Sequence, residues 1–136
     1  MATSNEARIR NANDEILGKG DLSAIEGMFA PDYVAHIGGK DYKGPAFVRK
    51  FVRQLRAAIP DLRVVKVTVL MGSGDTIGWK RTLAGTHKAD LKGIPPSGRK
   101  VKWTDMLVTR FAAGKIAEEW AVSDLAGQLM LKLPVE

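Results

Sequence analysis

The order of residues predicts an α+β protein, with helices first and then an antiparallel meander curved around the longest helix. Three observations carry this. Up to Pro60, apolar residues recur at helical spacing and are punctuated by Gly18, Pro31 and Pro60. After Asp61 the chain becomes β-branched and alternating, in LRVVKVTVLMG, DTIGWKRTLAGTH, RKVKWTDMLVTRF and KIAEEWAVSD. No repeat, low-complexity segment or linker interrupts the chain, so one domain over 1–136 is expected.

Each element has its own signal. Thr3 and Glu6 fit a capping box, and Ile9, Ala12, Ile16 and Leu17 then share one helical face until Gly18. Asp21 is placed to cap a short second helix, with Leu22, Ile25, Met28 and Phe29 on its apolar side and Pro31 at its end. Tyr33 to Ile37 reads as a short strand closed by Gly38 and Gly39. Pro45 suits the first turn of a long helix. Its apolar stripe is Phe47, Val48, Phe51, Leu55, Ala58 and Ile59, with Arg49, Lys50, Arg53 and Arg56 opposite. Four long strands follow. KADLKGIPPSG forms a stiff loop between the second and third, suited to a lid, and Ala112 to Gly114 turn the third into the fourth. Gly127 to Leu133 predict a tail helix.

Composition narrows the function. The chain has 136 residues and no cysteine, which excludes disulfides and thiolate metal sites. No apolar run reaches the ~20 residues of a membrane span, and the N-terminus lacks a signal-peptide core. No membrane partner and a cytoplasmic location are expected. The net charge of +6 invites nucleic acid, but the cations are dispersed and no aromatic-interleaved motif accompanies them. The expectation is no nucleic acid, with a positive field that favours anionic ligands.

PDYVAH, the helix opened by GP, FVRQLRAAIPDLRV, GTH, GIPPSGRKV, RF..GKIAEEW and the closing Asp124 together resemble the SnoaL-like polyketide cyclase (ester cyclase) family, of the NTF2-like superfamily. The resemblance runs from about residue 4 to 130. It implies a cone-shaped α+β barrel with an apolar cavity, a homodimer, and acid/base chemistry on a small molecule without a cofactor. In that family's aromatic polyketide cyclases an Asp on the last strand works with a His on the preceding strand. The matching positions here are Ala121 and Leu107, neither of which can move a proton.

Strand periodicity offers other groups. Ile77, Trp79, Arg81, Leu83 and His87 share one face; Val101, Trp103, Asp105, Leu107, Thr109 and Phe111 share another; Ile116, Glu118, Trp120, Val122 and Asp124 share a third. Each is the more apolar set of its strand and is expected to face inward, unless a bulge intervenes. Asp105, Arg81 and Asp124 would then meet in a Trp-lined pocket. Two carboxylates there would split into an acid and a base, with Arg81 holding one of them ionised. His36, at a strand end, would assist at the cavity mouth. Tyr33, Trp79, His87, Trp103, Leu107 and Trp120 are the expected substrate-binding residues. Asp124 can equally cap the tail helix, and Arg110 is expected to pair with Glu119 across the last hairpin. No metal is expected, because the histidines lack ligand spacing. Three functions remain open: a cofactor-independent cyclase, isomerase or hydrolase; a non-catalytic ligand-binding module; and an epoxide hydrolase using Asp105, Arg81 and Asp124, by analogy of residue types with members of the superfamily.

Overall fold

The computed structural model of the protein describes residues 4–132. Helix α1 spans Asn5–Ala12 and is capped by Ser4, whose side chain accepts from the Ala7 N–H. Thr3, the expected cap, lies outside the described residues. The helix then widens into a π-helical turn over Asn13–Gly18. A 3₁₀ turn, Leu22–Ala24, is capped by the Asp21 side chain and leads into the single-turn helix α2, Ile25–Met28.

Strand β1 starts at Phe29, earlier than expected, and runs to Ile37. Pro31 therefore sits inside a strand. It is tolerated because pairing with the neighbouring strand is irregular between Phe29 and Val34, where a missing N–H breaks no ladder. Gly38 and Gly39, both with positive φ, turn β1 into a short strand β2, Lys40–Lys43, that the sequence reading did not anticipate. Helix α3, Pro45–Ala58, begins at the proline and buries Val48, Val52, Leu55 and Ala58.

The meander forms as expected: β3 (Arg63–Ser73), β4 (Thr76–Thr86), β5 (Lys100–Ala112) and β6 (Lys115–Ser123). The six strands make one open, curved sheet in the order β2-β1-β6-β5-β4-β3. One pair, β1 with β6, is parallel, so the sheet is mixed rather than wholly antiparallel. Two register shifts in β3 explain its imperfect alternation, and such irregularities bend a strand. The tail helix α4, Leu125–Leu131, starts before the expected Gly127; Leu133 lies outside the described residues.

The core lies between the concave face of the sheet and α1, α3 and α4. Ile9, Val52, Leu55, Ile59, Leu83, Trp103 and Leu129 are among its most buried members. Gly85 is fixed by a close approach: a Cβ there would run into Cγ2 of Ile59, where the chain leaves α3.

Candidate functional site

The core is not filled. A cavity of about 460 Å³ lies between α1, α3, α4 and the sheet, mostly apolar in lining. That volume suits a small organic molecule. Tyr33, Trp79, Arg81, Trp103, Asp105, Leu107, Glu119 and Ala121 are on its wall.

Two polar constellations interrupt the apolar wall. Arg81 and Asp105 are direct partners across β4 and β5. The Arg81 Nε donates to Asp105 Oδ2 at 2.8 Å, and Arg81 Nη1 donates to Asn13 Oδ1 at 3.1 Å. Asn13 is buried and in turn donates to the Ile9 carbonyl at 2.8 Å. The π-helical turn begins at this residue, and such turns often mark functional positions. The second Asp105 oxygen, Oδ1, is buried and has no hydrogen-bond partner.

The other constellation centres on Glu119. Its Oε1 is 2.8 Å from the Tyr33 hydroxyl, and its Oε2 accepts from the Thr109 hydroxyl at 2.6 Å. Thr109 itself accepts from the Trp79 indole N–H at 2.8 Å, which fixes the direction of its own proton. Burial raises the Glu119 carboxyl above the usual range, against the lowering effect of both hydroxyls and of Arg81. Burial and the adjoining carboxyl likewise push the Tyr33 phenol upward. When Glu119 is protonated it can donate to the Tyr33 oxygen, which frees the Tyr33 proton for another acceptor.

Of the residues singled out from the sequence, Tyr33, Trp79, Arg81, Trp103, Asp105 and Leu107 all reach the cavity wall. Others do not. A register shift places Arg110 opposite Glu118 but Phe111 opposite Ile116, so Ala117 is an extra residue in β6. From there the strand's faces exchange: Ile116 points inward, but Glu119 and Ala121 continue the inner face in place of Glu118 and Trp120. Trp120 is accordingly 42% exposed on the outer face. His36, its register partner in β1, stacks on it there. His36 bridges Asp41 (2.7 Å) and Glu118 (2.6 Å) and does not reach the cavity mouth. The two carboxylates, Glu118 first, raise the His36 pKa.

Asp124 is exposed, and its Oδ1 accepts from the Thr104 N–H at 2.7 Å, tying the end of β6 to β5. It occupies the cap position of α4 without a capping bond from its side chain. The Asp105, Arg81, Asp124 trio is therefore not assembled. Arg110 pairs with Glu118 at 3.1 Å, not with Glu119. His87 is fully buried outside the cavity lining, with neither ring nitrogen hydrogen-bonded. Its backbone anchors both ends of the long loop, through the Arg99 carbonyl and the Gly98 N–H.

The sequence reading missed Asn13, Thr109 as a polar link, and Glu119. Glu119 carried half a signal: in EEW either parity delivers one carboxylate inward. Among the described residues no group of three or more His, Asp or Glu side chains could hold a metal ion. No helix among them is long and apolar enough to cross a membrane.

Comparison with known proteins places this architecture. No curated protein matches the sequence. Among solved structures, AclR from Streptomyces galilaeus, described as a candidate hydroxylase, is 28% identical over 96% of this chain and 100% of its own, with a TM-score of 0.76. IdmH from Streptomyces antibioticus, described as a candidate polyketide cyclase, is 27% identical over 94% of this chain and 97% of its own, with a TM-score of 0.75. A SnoaL-like protein from Jannaschia sp. CCS1, 20% identical over 100% and 99% of the two chains, shares the fold with a TM-score of 0.81. The model of one family, described as SnoaL-like polyketide cyclase, matches residues 7–130. With the curved sheet, the apolar cavity and a match over nearly its whole length, the chain belongs to the SnoaL-like polyketide cyclase family.

Proposed function

We propose that the protein is a cofactor-independent acid/base enzyme. It would remove a carbon-bound proton beside a carbonyl of a small, apolar, polyketide-like molecule held in the cavity. One observation carries this: Asp105 presents a buried oxygen without a partner in the cavity wall, while Arg81 holds the other. A desolvated carboxylate with one free oxygen is a positioned general base. Arg81 uses Nε on Asp105 and Nη1 on Asn13, and its remaining N–H groups are available to the oxyanion that forms as the proton leaves. Glu119 and Tyr33 supply the complementary acid. Thr109, which holds Glu119, stands four positions along β5 from Asp105, roughly 13 Å of strand. A fused-ring substrate can span that distance, losing a proton at one end and gaining one at the other.

Family membership and the candidate polyketide cyclase and hydroxylase among the relatives support an activity of this type. The pairing that serves the family's aromatic cyclases is absent in a specific way. Leu107 and Ala121 are direct partners across β5 and β6, and both line the cavity. The position of that pair is retained and its chemistry is not, which moves the acid/base work to Asp105 and Glu119. The same observation favours one second reading, a non-catalytic binder of an apolar ligand.

The two are separated by hydrogen–deuterium exchange in D₂O with tetralones and aryl β-diketones, followed by proton NMR. Exchange beside the carbonyl that is accelerated by wild type and lost in Asp105→Asn supports the enzyme. Saturable binding of these probes without accelerated exchange supports the binder.

The quaternary state belongs to the same proposal: a homodimer formed through the outer sheet face. Val108 pairs with Trp120, and Met106 with Val122, in adjacent rows of that face. All four are exposed, an apolar patch of a kind that marks an interface.

A further inference from the structure

A second cleft, of about 290 Å³, lies away from the cavity, where the ends of β3, β4 and β5 meet α4. Four cations line it, Arg63, Lys100, Lys102 and Lys132, against one carboxylate, Asp61. The carboxylate is already committed. Asp61 Oδ1 accepts from the Thr86 N–H at 2.6 Å and Oδ2 from the Thr86 hydroxyl at 2.8 Å. None of the ion pairs among the described residues involves the four cations.

The arrangement is built by strand register. Arg63 pairs with Ala84, and Ala84 with Lys102, so the two cations flank a small residue on adjacent strands. Adjacent strands are about 4.8 Å apart, so Arg63 and Lys102 stand roughly 10 Å from each other. Ala84 and Gly85 keep the floor low between them. Gly85 can be nothing larger, because Ile59 lies beneath it. Lys100 extends the row along β5, and Lys132 closes it from α4. Like charges held together without partners repel, and the bound ligand that relieves this is an anion with more than one charge. Arg63 offers a planar fork of donors and the lysines point charges, a combination that suits phosphate oxygens.

We propose that this cleft binds a diphosphate group, free or as the ester end of a small phosphorylated molecule. The cleft also touches the main cavity through α4. Gln128 and Lys132 face the cleft, while Leu125 and Leu129 of the same helix line the cavity. A bound anion holds α4 against the strand ends and stiffens one wall of the catalytic chamber.

The test is an amide NMR titration of the full chain with inorganic phosphate, pyrophosphate and ADP, at ionic strength held constant with sodium chloride. Saturable shifts with pyrophosphate at Arg63, Ala84, Gly85, Lys102 and Lys132 are expected. The midpoint should rise tenfold or more in the double variant Arg63→Gln with Lys102→Gln, whose exposed sites leave the fold intact by circular dichroism. Amide hydrogen exchange in α4 should slow on adding pyrophosphate, and Lys132→Gln should remove that slowing. ADP binding at least as tightly as pyrophosphate identifies the ester as the ligand; a preference for pyrophosphate identifies the free anion. Shifts that never saturate, that spread over lysines elsewhere, or that survive unchanged in the double variant overturn the proposal.

Discussion

The Tyr33 hydroxyl and the Glu119 carboxyl lie 2.8 Å apart on the cavity wall, the first delivered by β1 and the second by β6. Neither group has water to ionise into: burial raises the proton affinity of both, the Glu119 carboxyl adds to that of Tyr33, and the Tyr33 hydroxyl offsets only part of the rise at Glu119. The pair is best suited to hold one proton more than two exposed groups would at the same pH.

That has a consequence for stability. A carboxyl whose folded pKa lies above its unfolded value of ~4.3 favours the fold most when both states are protonated. Its contribution is complete below ~pH 4 and is lost as pH rises through the folded value. Glu119→Gln keeps the shape and removes the titration. Relative to wild type, the variant should gain stability steadily from acidic to neutral pH in urea denaturation. A constant difference across that range would show that Glu119 titrates normally.

Asp105→Asn leaves the largely buried Arg81 without its counter-charge. Breaking a buried ion pair from one side costs about 3 kcal/mol. Double substitution with Arg81→Met should recover much of that stability and none of the α-proton exchange. Thermal denaturation together with exchange rates checks both halves; equal loss of stability in the single and double variants would count against the pair as drawn.

His36, on the outer face, affects stability in the same sense at a higher starting pH. Its hydrogen bonds to Glu118 and Asp41 raise its folded pKa, so the stability it contributes is full below ~6.5 and disappears as pH rises through the raised value. Imidazole carbon-bound proton shifts followed by NMR should give a midpoint above that of a free histidine. Glu118→Gln should lower it more than Asp41→Asn does. A midpoint unchanged by either substitution would disconnect the histidine from its carboxylates.

Val108→Lys places a charge in the middle of the exposed apolar face. Light scattering after size exclusion should show a dimer for wild type and a monomer for the variant, with the cavity chemistry retained. Identical masses would move the interface elsewhere.

Much of this architecture is legible in the chain. Pro45 opens α3, Pro60 closes it, and the alternation of Val101 to Phe111 identifies the inner face of β5 without ambiguity. The pairing of Arg81 with Asp105 follows from two correctly read strands. β6 is where reading by alternation fails. Ala117, the extra residue, is neither glycine nor proline, and nothing in GKIAEEW marks it. The bulge is a tertiary choice: it keeps Ile116 in the core and still turns the uncharged Ala121 toward the cavity. Asn13 was hidden for a similar reason, since helical spacing says nothing about a turn that widens to the π form.

Ala117 also sets a short mutational distance between two different proteins. Removing that one codon would rotate the rest of the strand by half a turn. The buried acid at Glu119 would become a surface residue, and an indole would enter the chamber from Trp120. Substitutions could reach the same interior only by several coordinated steps. For this chain, a single in-frame deletion is the shorter evolutionary path to a new pocket, and a single in-frame insertion is an equally short path by which the present one could have arisen.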